Sequence, residues 1–126
     1  MHMKTTDRKL TNILIVEDSF FFSRWLYAEF LRIEGLEIVG FADNYNEAFL
    51  MLEKLEVDIA IIDIKLKEGY GTELIKSIKS INRNIIIIVF SNCVELRKEC
   101  LKLGADYFFD KSNDFDKLVK LISFRL

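Results

Sequence analysis

The chain has 126 residues, of which 51% are hydrophobic and 30% are charged, and its formal net charge is −2. This length and hydrophobic content indicate one globular domain with one core and exclude a disordered chain. Lys and Arg are scattered among acids, so no basic face for direct nucleic-acid binding is expected. No apolar run approaches the roughly 20 residues that cross a bilayer, so we expect a cytoplasmic protein that does not contact membranes.

Residues 1–10 are predicted to form a flexible N-terminus, in which the opening Met-His-Met resembles a remnant of cloning. The chain has two cysteines, Cys93 and Cys100, and one histidine, His2. This set is too sparse for a metal site built from Cys and His, so we expect ordinary thiols in a reducing compartment.

The first predicted strand is residues 11–17, a run apolar enough to be buried on both faces. Residues 19–34 then follow a helical period, and Gly35 is expected to end that helix. Its core-facing stripe has spacings of four, four and three: Phe22, Leu26, Phe30 and Ile33. Residues 36–42 are the second predicted strand.

The second predicted helix is residues 45–55, with Asn44 as its N-cap and Glu47 three residues later in a capping-box arrangement. Its buried positions are expected to be Ala48, Leu52 and Leu55. The third predicted strand is residues 57–63, and a glycine-containing loop, residues 64–71, follows it.

Thr72 is the expected N-cap of a third helix that runs to about Ile81, with Leu74, Ile75 and Ile78 facing inward. Residues 84–90 are the fourth predicted strand. A helix over 94–103 is expected to end at Gly104.

The fifth predicted strand is residues 106–110, and the last helix runs from about Asn113 to the end of the sequence. One face of that helix carries Phe115, Leu118, Val119 and Ile122. Buried strands thus alternate five times with amphipathic helices. The pattern predicts an α/β fold, a doubly wound five-stranded parallel sheet with helices on both faces.

Polar side chains follow the buried strands at the edge where a parallel sheet binds ligands. They are Glu17, Asp18, Asp63, Ser91 and Lys111. Three crowded carboxylates repel one another unless a cation joins them. Because the candidate ligands are all oxygens, a hard cation such as Mg²⁺ (or Mn²⁺) is favoured.

This set of groups suits phosphoryl transfer, in which positioning and charge neutralisation supply most of the catalysis. Asp63 is the best candidate nucleophile, since it ends the central buried strand and an aspartyl phosphate is a known covalent intermediate. Lys111 and Ser91 are expected to contact the other oxygens of the phosphoryl group.

From Thr11 to Leu126 the chain resembles a response-regulator receiver domain, the phospho-acceptor of bacterial two-component signalling. The acidic pair Glu17-Asp18, Asp63, Gly71, Ser91 and Lys111 fall at matching places in matching order, and "GADYFFDKS" is a family-like string. The resemblance implies a flavodoxin-like strand order 2-1-3-4-5 and a receiver domain over residues 11–126.

By the same resemblance, Asp63 is the phospho-acceptor and Glu17, Asp18, Asp63 and the backbone carbonyl of Lys65 bind Mg²⁺. Ser91 and Phe108 take the places of the family's switch residues. The implied partners are a sensor histidine kinase or histidine phosphotransferase and an output partner of unknown kind. The chain is then a signalling switch that catalyses its own phosphorylation and slow dephosphorylation, and not otherwise an enzyme.

Three departures from the family pattern concern residues near the site. Lys67 stands where proline is common, and Ser112 follows Lys111 where the family usually has proline in a cis bond. A cis bond before a non-proline residue costs several kcal/mol, so a trans or a strained bond is expected. The segment from Ser91 to Gly104 is slightly short for the family.

Three other functions share parts of this pattern. A haloacid-dehalogenase-type phosphatase has a second aspartate two residues after the nucleophile, where this chain has Lys65. A receiver-like interaction module that is not phosphorylated stays open because of Lys67, Ser112 and the short segment. A flavin-binding flavodoxin is excluded because "EDSFFFS" is acidic and bulky where a phosphate-binding loop is needed.

Phe20, Phe21 and Trp25 lie beside the apolar stripe of the first helix and are not needed for it. Surplus aromatics next to a site mark a docking surface or pack against a neighbouring helix. Both interpretations stay open. By resemblance, the helix pair of a kinase or phosphotransferase docks at this helix.

Overall fold

The computed structural model describes residues 9–81 and 84–124. Within them, five strands alternate with five α-helices: β1 Thr11–Val16, α1 Phe20–Phe30, β2 Leu36–Ala42, α2 Tyr45–Lys54, β3 Ile59–Ile62, α3 Gly71–Ser80, β4 Ile86–Ser91, α4 Arg97–Leu103, β5 Tyr107–Asp110 and α5 Phe115–Ser123. The predicted flexibility of residues 1–10 falls mostly on residues 1–8, which lie outside the described residues. None of the described helices is long and apolar enough to cross a membrane.

The five strands form one parallel sheet in the order β2-β1-β3-β4-β5, which confirms the predicted doubly wound topology. Val16 lies opposite Ala42 on one side and opposite Ile62 on the other. Ser91 lies opposite Asp110. The register therefore brings the residues that follow β1 and β3 to one level at the carboxyl edge of the sheet.

Alternating side chains of the inner strands fill two apolar layers, one on each face of the sheet. One layer joins Leu14 and Val16 to residues of α2, α3 and α4, and the other joins Ile13 and Ile15 to residues of α1 and α5. Because β1, β3 and β4 are covered on both faces, their sequences are continuous apolar runs.

The first helix is shorter than predicted, because it ends at Phe30 and not near Glu34. Ile33 lies in the following turn, where its N–H donates to the Phe30 carbonyl. Gly35 has a φ of 88°, a value that glycine adopts without strain. The turn brings the Gly35 carbonyl within 2.9 Å of the Thr11 nitrogen and so sets β2 beside β1.

The second helix begins as predicted, with the Asn44 side chain accepting a hydrogen bond from the Glu47 N–H. The prediction that Leu55 is a buried residue of this helix is wrong. Leu55 has an extended backbone after the helix ends at Lys54, and 39% of the residue is exposed.

Thr72 does not cap the third helix, which begins one residue earlier, at Gly71, after Tyr70. The reason is that Gly71 N–H donates to the Ile64 carbonyl at 2.6 Å, and the N–H groups of Glu73 and Leu74 already bond to the Tyr70 carbonyl. The loop thus closes on itself before the helix starts.

The predicted helix over 94–103 is split into a 3₁₀ turn, Val94–Leu96, and α4, which starts at Arg97. A 3₁₀ turn is tighter than an α-helical turn, and it fits the short segment that connects Ser91 to Gly104. Gly104 follows the helix with a φ of 125°, as expected of a terminating glycine.

Candidate functional site

Glu17 and Asp63 follow β1 and β3 directly, and neighbouring strands fix their backbones. The Glu17 N–H donates to the Ala42 carbonyl and the Asp63 N–H donates to the Val16 carbonyl, each at 2.9 Å. Both residues are buried, with 5% of Glu17 and 8% of Asp63 exposed. The sheet therefore holds two acidic residues side by side with little access to water.

Asp18 completes a cluster of three carboxylates with Glu17 and Asp63. One oxygen from each lies within 4.8 Å of the others. Oxygen donors so arranged, without nitrogen or sulfur, fit a hard divalent cation. The acidic pocket predicted from the sequence is therefore present, and it can hold a divalent metal ion.

Lys111 supplies the positive charge of this pocket. It follows β5, its N–H donates to the Ser91 carbonyl at 3.1 Å, and its Nζ lies 2.8 Å from both Glu17 Oε1 and Asp63 Oδ2. Burial by itself lowers the pKa of an ammonium, but the hydrogen bonds and charges of Asp63 and Glu17 outweigh it and raise the pKa of Lys111. The lysine is therefore charged at neutral pH.

The pKa of the Glu17 carboxyl is raised in this pocket. Burial raises its pKa to about 7, the charge of Asp63 adds to the rise, and hydrogen bonds from Lys111 and from the Ser19 N–H oppose it. The hydrogen bonds therefore do not outweigh the effect of burial, and a bound cation would favour the ionised form of Glu17.

Both oxygens of the Asp63 carboxylate are held in place. Oδ1 accepts from the N–H of Ile64 at 2.7 Å, and Oδ2 accepts from Lys111. Behind the aspartate, a Cβ on Gly71 would lie 2.2 Å from the Asp63 carbonyl oxygen. The predicted loop glycine is thus required because helix α3 starts against the backbone of Asp63.

The loop between β3 and α3 is tied to the start of α2. Lys67 N–H donates to the Asp43 carbonyl at 3.0 Å, its Nζ lies 3.4 Å from Asp43 Oδ2, and the Tyr45 N–H donates to the Glu68 carbonyl. Lys65 forms an isolated antiparallel bridge with Tyr70. These bonds order the loop although it lacks the proline expected at Lys67.

Ser91 is fully buried at the end of β4, where its Oγ accepts from the Cys93 N–H at 3.1 Å. No cis peptide bond occurs in the ranges 9–81 and 84–124, so the Lys111–Ser112 bond is trans. The Ser112 hydroxyl donates to Asn92 Oδ1 at 3.0 Å and links the loops after β4 and β5.

Phe108 already lies inside the fold, with 4% of the residue exposed. It belongs to the apolar layer against which Cys93 and Leu96 pack. The Arg97 guanidinium lies 4.9 Å from the centre of the Phe108 ring and donates to the Phe108 carbonyl at 3.0 Å. Arg97 therefore covers the predicted switch aromatic from α4.

The surplus aromatics of α1 divide between the two interpretations. Phe21 and Phe20 are 83% and 61% exposed. Trp25 is 42% exposed, and its ring lies 4.7 Å from that of Phe115 on α5. Trp25 therefore packs against the neighbouring helix while Phe20 and Phe21 face outward.

Two contacts at the site were not anticipated from the sequence. The Phe22 ring, assigned only to the core, lies 4.4 Å from Lys111 Nζ. The Arg24 guanidinium lies between the rings of Phe20 and Phe41, at 4.4 and 3.9 Å. The helical period indicates only that Phe22 faces the core, so neither contact follows from the sequence.

Residues 13–123 match the family model of the response regulator receiver domain. The chain is 32% identical over 113 residues to the chemotaxis protein CheY of Thermotoga maritima. This alignment covers 88% of this chain and 93% of that protein. It is 29% identical to a protein-glutamate methylesterase/protein-glutamine glutaminase of Clostridium acetobutylicum, covering 86% of this chain and 33% of that protein.

The chain spans between about a third and just over half of the length of the first curated relatives it matches. Among solved structures, a two-component response regulator of the LuxR family from Aurantimonas sp. SI85-9A1 superposes with a TM-score of 0.84 at 22% identity. That match covers 92% of this chain and 84% of the other. At this identity the likeness concerns the fold.

Proposed function

Since the chain belongs to the response regulator receiver domain family of two-component systems, we propose that it is a phosphorylation switch in which Asp63 accepts a phosphoryl group with the help of Mg²⁺. The observation that carries the proposal is the position of the Asp63 carboxylate. It lies 2.8 Å from the Lys111 ammonium and within 4.8 Å of a carboxylate oxygen of Glu17 and one of Asp18.

In the proposed reaction, a carboxylate oxygen of Asp63 attacks the phosphorus atom of a phosphohistidine or of a small acyl phosphate. The new O–P bond forms as the bond from phosphorus to the leaving group breaks, and the leaving group departs with the electron pair. Lys111 balances charge on the phosphoryl oxygens, which is the main contribution that a protein makes to this type of transfer.

Glu17, Asp18, Asp63 and the backbone carbonyl of Lys65 are the groups we assign to Mg²⁺ (or Mn²⁺). The three carboxylates fit because they crowd oxygen ligands around one point and because burial raises the pKa of Glu17, a cost that a cation relieves. When bound, the ion supplies positive charge to the phosphoryl oxygens.

Ser91 and Phe108 are the proposed switch residues. Ser91 Oγ accepts from the Cys93 N–H, which leaves its O–H free to donate to a phosphoryl oxygen on Asp63. Phe108 is already buried, in the apolar layer that also contains Cys100 of α4. The switch then acts by stabilising this inward position, because a phosphoryl group shifts an equilibrium only if it interacts differently with the two states.

The proposed upstream partner is a sensor histidine kinase or a histidine phosphotransferase that docks on α1 through Phe20 and Phe21, and through the part of Trp25 that its packing on Phe115 leaves exposed. Exposed aromatics beside a site are the residue types that dominate docking energies. We take the receiver domain to be residues 11–126.

The proposed output surface is the region of α4, β5 and α5. A cavity of about 450 Å³ there is lined mainly by apolar and aromatic side chains, among them Tyr107, Phe109 and Leu121. The kind of output partner is unknown. We expect the protein to act in the cytoplasm.

The proposal is tested by the intact mass of the protein after incubation with a small-molecule phosphodonor, with and without Mg²⁺. We expect a gain of one phosphoryl group that requires Mg²⁺ and is absent from Asp63→Asn. The matched control is Asp58→Asn, an aspartate before β3 whose carboxylate bonds to the Asn12 N–H. No gain in the unaltered protein would favour the interaction module that is not phosphorylated.

A further inference from the structure

Among the described residues, only two of the three N–H groups of the Lys111 ammonium find a hydrogen-bond acceptor. An ammonium has three N–H donors, and Nζ lies 2.8 Å from Glu17 Oε1 and 2.8 Å from Asp63 Oδ2. In residues 9–81 and 84–124 no third acceptor contacts Nζ. Instead it lies 4.4 Å from the centre of the Phe22 ring.

The Phe22 ring is itself held in place by other rings. Its centre lies 5.4 Å from that of Trp25 on α1 and 5.8 Å from that of Phe90 on β4. Trp25 in turn contacts Phe115 on α5 at 4.7 Å. Since Phe22 contacts rings on α1 and β4, and Phe115 supports the ring of Trp25, the ring facing Lys111 has little freedom to turn away.

The face of an aromatic ring is a suitable contact for a lysine whose ammonium group has to exchange one hydrogen-bond acceptor for another. It attracts a cation through its quadrupole, most strongly where water is excluded. The Lys111 side chain is only 14% exposed. A carboxylate in the place of the ring would hold the ammonium by a directional bond, whereas a ring face leaves its N–H groups free to turn from a carboxylate to a phosphoryl oxygen.

We propose that Phe22 is a positioning residue for the phosphorylation reaction, which holds the Lys111 ammonium against Asp63 through the face of its ring. This inference rests on the proposed function, and it assigns Phe22 a role beyond the core packing that its place on α1 indicates. Loss of the ring face should slow labelling of Asp63 while the fold and the acidic pocket are kept.

The test replaces Phe22 by phenylalanines with one to five ring fluorines, which progressively weaken the cation attraction of the ring at almost constant size. The same series at Phe30 is the matched control, because Phe30 is 1% exposed on α1 and packs in the same apolar layer. The rate of labelling by a small-molecule phosphodonor is measured at saturating Mg²⁺.

We expect the labelling rate to fall steadily with fluorination at Phe22, by about five- to tenfold for the fully fluorinated ring. The Phe30 series is expected to change the melting temperature but not to follow this trend. Normal labelling of the unaltered protein together with equal rates across the Phe22 series would overturn the inference and leave the proposed function standing.

A second measurement tests the contact between the Phe22 ring and Lys111 without phosphorylation. Protons of the Lys111 ε-carbon beside a ring face are shifted upfield in NMR spectra, and we expect Phe22→Leu to remove that shift while Phe30→Leu keeps it. An unchanged Lys111 signal in Phe22→Leu would overturn the inference. No labelling of the unaltered protein under any condition would instead overturn the proposed function, and the kinetic role of Phe22 with it.

Discussion

Lys111 Nζ lies 2.8 Å from Asp63 Oδ2, a contact that joins the end of β5 to the end of β3 across the intervening strand β4. The same ammonium lies 2.8 Å from Glu17 Oε1. One positive charge is therefore shared by two buried carboxylates. Breaking such a pair leaves an uncompensated buried charge, which costs more than the pair itself contributes.

Replacing Lys111 by methionine keeps the length of the side chain and removes its charge. We expect the free energy of unfolding in metal-free buffer to fall by about 1–3 kcal/mol, a loss limited because Glu17 can take up a proton. Mg²⁺ should restore part of this loss. Urea unfolding with and without Mg²⁺ measures both effects. Lys117→Met is the control, since that lysine is 73% exposed; equal losses in the two variants would contradict the prediction.

Gly71→Ala should disturb the backbone of Asp63. The added Cβ would lie 2.2 Å from the Asp63 carbonyl oxygen and 2.9 Å from Ile62 Cγ2, and neither atom can yield without moving β3. We expect a loss of about 2–4 kcal/mol in the free energy of unfolding. At Gly40 the nearest atom to an added Cβ is the flexible Met51 Sδ at 3.0 Å. Gly40→Ala should therefore cost much less, and the reverse order would refute this account of the loop.

The two cysteines should differ in reactivity. Burial raises the pKa of Cys100 to about 11 from a usual 9.0, and the charge of Glu99 adds to the rise. A raised pKa means that less thiolate is present at any pH below it, and the thiolate is the reactive form. Cys93 is half-buried.

We therefore expect iodoacetamide at pH 8 to modify Cys93 first in the folded protein, and both cysteines at similar rates in urea. Peptide mapping of the alkylated protein measures the order. Preferential alkylation of Cys100 in the folded state would contradict the packing of α4.

Trp25 is the only tryptophan of the chain, and its ring contacts Phe22, the ring next to the Lys111 ammonium. A change at the acidic pocket that moves this ammonium alters the electric field at the Trp25 indole ring, and tryptophan emission responds to that field. We expect the tryptophan emission to change when the phosphodonor is added in the presence of Mg²⁺. The change should be absent from Asp63→Asn, and an identical response in that variant would show that it does not arise from phosphorylation.

The sequence was sufficient for the fold because the inner strands are buried on both faces. Continuous apolar runs such as residues 59–62 are hard to place anywhere but inside a parallel sheet, and the grouping of Glu17 with Asp63 at one edge followed. The strand order came from the resemblance to receiver domains. Helix ends were less predictable, since they depend on tertiary bonds. Thr72 has the chemistry of an N-cap, but the bond between Gly71 and Ile64 starts the helix earlier.

The site was predicted as a set of residues and not as a set of contacts. Periodicity places Phe22 on the core side of α1, and nothing in the sequence says that its ring meets Lys111 across the sheet. The cover that Arg97 forms over Phe108 depends on the 3₁₀ turn that precedes α4. Contacts between residues this far apart in sequence follow from the relative positions of whole helices.

The central claim is that the phosphoryl group is bound to Asp63 itself. Borohydride reduces an aspartyl phosphate to homoserine, so peptide mapping after treatment of the labelled protein identifies the modified residue directly. We predict homoserine at position 63 only in protein incubated with both phosphodonor and Mg²⁺. Homoserine at position 18 or 58, or none in protein whose mass has increased, would contradict the assignment of Asp63 as the phospho-acceptor.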